Sequence, residues 1–411
     1  MRLCQSLKLS LILVMLIVCN VVKPVTDTFV LSNAVMYRET EETKSQDAPA
    51  GDLNLECAAA VLIEPVSGKI IYEKNKDTKM PPASVTKIMT MLLIMENIDK
   101  KKISYNDMVS VSAHAASMGG SQVFLEEGET QTVDTMLKCI AVSSANDACV
   151  AMAEYISGSE EAFVQQMNQR AKELGMNNTN FVNCCGLDVD GHETTAYDIA
   201  LMSRELITKH PDIYKYTTIW MDTITHTTAK GSSEFGLSNT NKLIKQYNGA
   251  TGLKTGSTSK AKFCLSATAR RNDMDMIAVV MAANDAKARV QEATKLLDYG
   301  FSNCSLYQKK VQLKKNQIAV ERGSKKTVTL DVPDTFQYVC VANEDANAIK
   351  EKVTLKKNLK APVKKGAVLG TVQYYLNNEV IGKLDITAAQ TVDEWKITDC
   401  IKNVWQQYQL Q

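Results

Sequence analysis

The sequence predicts an α+β protein: an antiparallel sheet carrying a helical block, followed by a small all-β domain and a C-terminal amphipathic helix. Three observations carry this. Strand-type runs open (57–63, 69–73) and close (251–258, 262–269, 274–282) the first large region, with helical text between them. Residues 305–390 alternate in short runs broken by turns and lysines. Ile397, Ile401, Val404, Trp405 and Tyr408 then recur at the spacing of one helical stripe.

The chain has 411 residues with 45% hydrophobic and 23% charged content, enough for two or three domains and too apolar for a disordered polymer. Its 47 Lys+Arg against 46 Asp+Glu leave +1, which removes any global case for a nucleic-acid partner, since tracking phosphates needs excess cations. Local charge is uneven. Residues 305–390 hold 15 Lys+Arg against 8 Asp+Glu, while residues 35–304 are net acidic.

Taken in order, Arg2 and Lys8 precede an apolar stretch over 9–22 that is too short to span a bilayer comfortably, the layout of a signal peptide over residues 1–34. Cys19 follows Leu16-Ile17-Val18, which fits a lipoprotein site poorly; an uncleaved anchor is the alternative to export. Residues 35–52 are polar and acidic and read as a flexible leader. A main domain over 53–304 begins with the hairpin 57–63/69–73 around the turn Pro65-Val66-Ser67-Gly68. Residues 85–98 are nearly all apolar after Lys87, so this helix is expected to be buried on every side. Further helices are expected over 132–141, 147–156, 160–174 and 196–208, then three strands and a helix over 286–300. The small β domain occupies 305–390, and 391–411 forms the terminal helix, which either docks on its own domain or lies in a membrane interface with Trp405 and Tyr408 as anchors.

Cysteine usage adds little chemistry. Eleven are present, two within the signal segment, and the remaining odd number leaves at least one thiol unpaired. Cys57, Cys149 and Cys264 sit in apolar surroundings, where a free cysteine behaves as a small hydrophobe. There is no Cys-x-x-Cys or His-Glu-x-x-His, so a zinc site has little support, and the pair Cys184-Cys185 reads as loop packing. The four histidines fit no triad spacing and read as surface or loop residues.

Three short motifs matter in combination. Ser84-Val85-Thr86-Lys87 opens the buried helix, and residues three apart share a helical face, so the Lys87 amine can reach the Ser84 hydroxyl. A serine needs a base at neutral pH, and a desolvated amine near other cations can serve as one. Ser144-Ala145-Asn146 supplies a second hydroxyl able to relay a proton and an amide able to orient the lysine. Lys254-Thr255-Gly256 lies in a strand, where a cation and a hydroxyl suit a carboxylate and glycine admits a close backbone. Each motif is weak alone; their order is specific.

With Ala83-Ser84-Val85-Thr86-Lys87, Met118-Gly119-Gly120-Ser121-Gln122, Ser143-Ser144-Ala145-Asn146-Asp147-Ala148, Asn239-Thr240-Asn241 and Gly252-Leu253-Lys254-Thr255-Gly256-Ser257, the chain over about residues 57–390 resembles the penicillin-binding protein and serine β-lactamase superfamily. It looks most like the low-molecular-mass D-alanyl-D-alanine carboxypeptidases of peptidase family S11. That resemblance implies a β-lactamase/transpeptidase-like catalytic domain. It also implies a Ser84 acyl-enzyme formed on a peptidoglycan stem peptide ending in D-Ala-D-Ala, with hydrolysis by water, β-lactams as covalent inhibitors and no metal or organic cofactor. Lys87 would be the base, and Ser144 and Asn146 the relay and positioning groups. Lys254, Thr255, Gly256 and Ser257 would line the substrate, with the N–H groups of Ser84 and Ser257 as the oxyanion hole. Arg289 would stand near the substrate carboxylate, or else be a surface helix residue.

Two departures stand out: Cys184-Cys185 precedes Gly186-Leu187 where many members carry Pro-His, and position 257 is Ser rather than a bulkier residue. Two other readings compete. A class A β-lactamase would add a deacylating glutamate, and Glu173 to Asn177 fits that spacing formally, although Gly175 there marks a helix end. A silent wall-binding protein would have no chemical need for Ser84, Lys87, Ser144, Asn146 and Lys254 together. The expected location is outside the cytoplasmic membrane or in the cell wall, with the terminal helix touching the membrane surface.

Overall fold

The computed structural model describes residues 53–333, 335–341 and 344–396. The signal segment, the leader and the 397–411 part of the expected terminal helix lie outside the described residues.

A five-stranded antiparallel sheet forms the centre of the first domain. Its spatial order is Ile70–Lys74, Ala59–Ile63, Met274–Ala283, Lys262–Arg271, Ala250–Thr258. The opening hairpin and the closing meander thus make one sheet, with the Lys254 strand at the edge. Side chains alternate with the pleat. Val61, Ile63, Ile277, Val279 and Met281 face the helical block, while Ala60, Leu62, Met276, Ala278 and Val280 face the Ala286–Asn303 helix on the other side. Covering both faces is why these strands read as continuous apolar runs.

The helical block is built around Lys87–Asp99, in which every residue from Lys87 to Glu96 is buried. The expected all-round burial is therefore observed. Val133–Ser143, Asn146–Ser157, Glu160–Glu173 and Ala196–Lys209 surround it at the anticipated positions. Ser159 and Thr195 cap the last two of these, their hydroxyls accepting from the backbone N–H of Ala162 and Asp198. The hairpin Met221–Thr228/Gly231–Ser238 was not apparent from the sequence, because Ser, Thr and Gly fill its mostly exposed strands and only Ile224, His226 and Leu237 are buried.

The second domain has a six-stranded sheet and a two-stranded ribbon, Cys304–Lys310 with Thr335–Val341. Phe336 and Tyr374 stack at 3.7 Å in its core, among Val328, Leu330, Leu384 and Ile386. Residues 391–396, expected to begin the terminal helix, instead extend this domain: Val392 pairs with Val363 and Glu394 with Gly323. Val392 is fully buried, so the stripe beginning at Ile397 is preceded by a strand-like closure and not by helix. No helix among the described residues is long and apolar enough to cross a membrane.

All eight described cysteines are free thiols, seven of them buried. His192 and His210 lie in loops, within the expectation, while His226 lies in a strand. All three are buried, hydrogen-bonded to Thr86, Asp99 and Glu129 respectively, and His226 satisfies the fully buried Glu129 carboxylate. Only His114 is exposed.

Candidate active site

Ser84 lies in the 3-10 turn Ala83–Thr86 that feeds the Lys87–Asp99 helix. The Lys87 Nζ reaches three acceptors: Ser84 Oγ at 3.0 Å, Asn146 Oδ1 at 2.7 Å and the Cys185 carbonyl at 2.7 Å. The lysine is entirely buried. Two of those partners, the amide oxygen and the carbonyl, accept only. When Lys87 is neutral its two N–H bonds are held by Asn146 and Cys185, and the lone pair is left facing the Ser84 hydroxyl. Such an arrangement suits a general base.

Asn146 is itself fixed twice. Its Nδ2 donates to the Gly119 carbonyl at 2.7 Å and its backbone N–H to the Ser121 carbonyl at 2.7 Å. Neighbouring Asp147 accepts from the backbone of Val123 and Leu125, binding the same loop, and burial pushes its carboxyl above the usual carboxylate range. Ser144 ends the preceding helix in the left-handed region, φ 60°, a conformation a serine adopts only where its surroundings impose it. That turn aims its Oγ at Lys254 Nζ, 3.0 Å away.

Lys254 donates also to the Thr255 carbonyl at 3.0 Å, and is buried. Burial above all, then the positive charges of Lys87 and Arg289, hold its amine well below the ordinary lysine range. Thr255 Oγ1 is 2.6 Å from Thr240 Oγ1, which places the Asn239-Thr240-Asn241 segment behind the strand. A methyl group on Gly256 would sit 2.9 Å from the Pro82 oxygen, the Ser84 nitrogen and the Val85 nitrogen. The strand therefore runs directly against the turn that carries Ser84, and Ser257, next along it, is exposed. Opposite, Gly186 (φ 88°) lies so close that a Cβ would fall 1.9 Å from the Ala83 oxygen.

Arg289 is not a surface residue: it is 7% exposed and its guanidinium donates to the Gly256 carbonyl at 3.1 Å. Its Nε is a buried donor without a hydrogen-bond partner. The fold thus brings Ser84, Lys87, Ser144, Asn146, Lys254, Thr255 and Gly256 to one place, with Arg289 behind the strand. Sequence reasoning placed Asp147 and Thr240 in motifs without giving either a role, and missed the Cys185 carbonyl. A backbone acceptor leaves no side-chain signature.

The family model described as D-alanyl-D-alanine carboxypeptidase matches residues 42–285. The chain belongs to this family. A second model, penicillin-binding protein 5 C-terminal domain, matches residues 301–394. Among relatives of this family member, the D-alanyl-D-alanine carboxypeptidase DacF of Bacillus subtilis is 46% identical over 351 residues, 84% of this chain and 88% of that one. DacA of Escherichia coli is 32% identical over 86% of this chain and 92% of its own. Penicillin-binding protein 5 of Haemophilus influenzae superposes with a TM-score of 0.65 at 30% identity, covering 83% of this chain and 98% of that structure. The fold is that of the penicillin-binding proteins, a helical and antiparallel catalytic domain followed by an all-β domain.

Proposed function

We propose that this family member acts as a serine-type D-Ala-D-Ala carboxypeptidase with Ser84 as the nucleophile and Lys87 as its base. The single observation carrying the assignment is the Lys87 amine, held by Asn146 and Cys185 so that it faces Ser84 Oγ at 3.0 Å. Ser84 attacks the carbonyl joining the last two D-Ala residues of a stem peptide. The oxyanion forms against the N–H groups of Ser84 and Ser257, donors typically worth about 10²–10³ in rate. Ser144 passes the proton to the departing amine, and the free D-Ala leaves. Water then hydrolyses the acyl-enzyme. Lys254 and Thr255 meet the substrate carboxylate, Gly256 lets the Ser84 turn lie against the strand in place of the expected substrate backbone, and Arg289 fixes that strand through the Gly256 carbonyl. A β-lactam follows the same path and stays attached.

The β-lactamase alternative loses its glutamate. Glu173 ends the Glu160–Glu173 helix, its side chain half exposed and hydrogen-bonded to Gln169 and Arg170.

We assign residues 1–34 to an export signal, 35–52 to a leader, 53–304 to catalysis, 305–390 with its closing segment to the β domain, and the stripe after residue 396 to a peripheral contact with the outer face of the cytoplasmic membrane. The excess of lysine in the β domain supports an anionic surface there. Release of D-Ala from a diacetyl-Lys-D-Ala-D-Ala peptide tests the activity, with loss of both release and penicillin labelling expected in Ser84→Ala. Full release by Ser84→Ala would refute it, and rapid turnover of penicillin would favour a lactamase.

A further inference from the structure

Beside the Lys87 cradle lies a group of donors that the reaction does not use. The Sγ atoms of Cys184 and Cys185 and a carboxylate oxygen of Glu160 all lie within 4.8 Å of one another. It is the one set of three such side chains, among the described residues, close enough to share an ion. Both thiols are buried, while the Glu160 side chain is 14% exposed and opens the cluster towards His114, whose Nε2 is 3.7 Å from it.

The backbone around the cluster is hydrogen-bonded to neighbouring side chains. Asn183 Oδ1 accepts from the N–H groups of Cys185, Gly186 and Leu187 at 3.2, 2.6 and 3.1 Å. Cys184 donates its own N–H to Glu160 Oε1 at 3.0 Å, and its carbonyl accepts from Thr90 Oγ1 at 2.6 Å. Two thiolates with one carboxylate form a donor set for a four-coordinate d¹⁰ divalent ion, with bonds of about 2.3 Å to sulfur and 2.0–2.2 Å to oxygen. Tetrahedral ligands at those lengths stand roughly 3.3–3.8 Å apart. A contraction of about an ångström from the observed spacing therefore suffices.

We propose that Glu160, Cys184 and Cys185 form a binding site for a soft divalent cation of the zinc and cadmium class, and that its occupation slows acylation through the Cys185 carbonyl. On binding, two S–H bonds break and release two protons to solvent. Two metal–sulfur bonds and one metal–oxygen bond form, and solvent takes the fourth position. The coupling is short: drawing the Cys185 side chain towards Glu160 moves the same residue whose carbonyl holds Lys87 at 2.7 Å. Because a displacement of about 1 Å at a reacting group can cost up to about a hundredfold in rate, slowing of tenfold or more is expected. The binding part stands apart from the proposed function, while the slowing rests on it.

The test uses the full reduced chain, titrated with Cd²⁺ while following the ultraviolet thiolate-to-cadmium absorption, with Zn²⁺ as competitor. An endpoint of one equivalent is expected, with the band lost in both Cys184→Ser and Cys185→Ser and the affinity lowered in Glu160→Gln. No band in the wild type, an undiminished band in the two cysteine variants, or unchanged affinity in Glu160→Gln overturns the site. Glu160→Gln, at a partly exposed position, keeps the test decisive if a cysteine variant does not fold. Penicillin acylation is then measured with and without Cd²⁺, each variant against its own metal-free rate. Binding without slowing overturns the coupling alone. Absence of acylation in metal-free wild type would count instead against the proposed function.

Discussion

Lys254 Nζ donates to Ser144 Oγ at 3.0 Å across 110 positions of sequence, joining the sheet edge to the end of a helix in the opposite block. The contact defines the second half of the site: the first half, Ser84 with Lys87, lies within one turn of helix.

Removing the hydroxyl is the direct test of that contact. Ser144→Ala is expected to lower the second-order rate of acylation by a fluorescent penicillin by about 10²–10⁴, the usual range for a lost proton-transfer group. Thermal unfolding should change little, because the hydroxyl contributes one hydrogen bond. An acylation rate within threefold of wild type would remove Ser144 from the proton path.

Gly256→Ala places a methyl group 2.9 Å from three backbone atoms of the Ser84 turn. None of those atoms is the end of a flexible side chain, so the strand or the turn must shift. We expect a loss of stability of about 1–3 kcal/mol by urea unfolding, together with loss of penicillin labelling. A variant that labels at the wild-type rate would show that the strand does not press on the turn.

Burial of His192 lowers its pKa from 6.5 to about 4. The folded protein keeps this imidazole neutral, and the unfolded chain takes up the proton first. The stabilising contribution is therefore complete above pH 6.5 and is lost as pH falls towards 4, by roughly 3 kcal/mol over that range. Denaturant midpoints measured between pH 7 and pH 4 should fall less steeply in His192→Gln than in wild type. Equal slopes would place the acid sensitivity elsewhere.

A deletion aimed at membrane contact has to respect the β domain. Val392 and Glu394 pair with Val363 and Gly323, so a cut before residue 391 removes part of the domain itself. Ending the chain after Lys396 should abolish sedimentation with anionic vesicles and leave penicillin labelling unchanged. Continued vesicle binding by that shortened chain would move the contact to the lysines of 305–390.

Periodicity and the order of three motifs were enough to give the α+β class, the opening hairpin, the closing meander, the buried helix and the pairing of Ser84 with Lys87. Those are local matters, since alternation, a 3.6-residue repeat and a separation of three residues each act within a few turns of chain. The 221–238 hairpin escaped notice because its strands bury few side chains and so leave little alternation in the sequence. Tertiary structure decided the rest. Only folding brings Cys185, 98 positions from Lys87, to the amine as a backbone acceptor. It also takes Arg289 from an ambiguous helix position to the Gly256 carbonyl and buries three histidines whose spacing gave no sign of burial. A carbonyl contact and a burial state depend on which segments share space, and no single residue type records that.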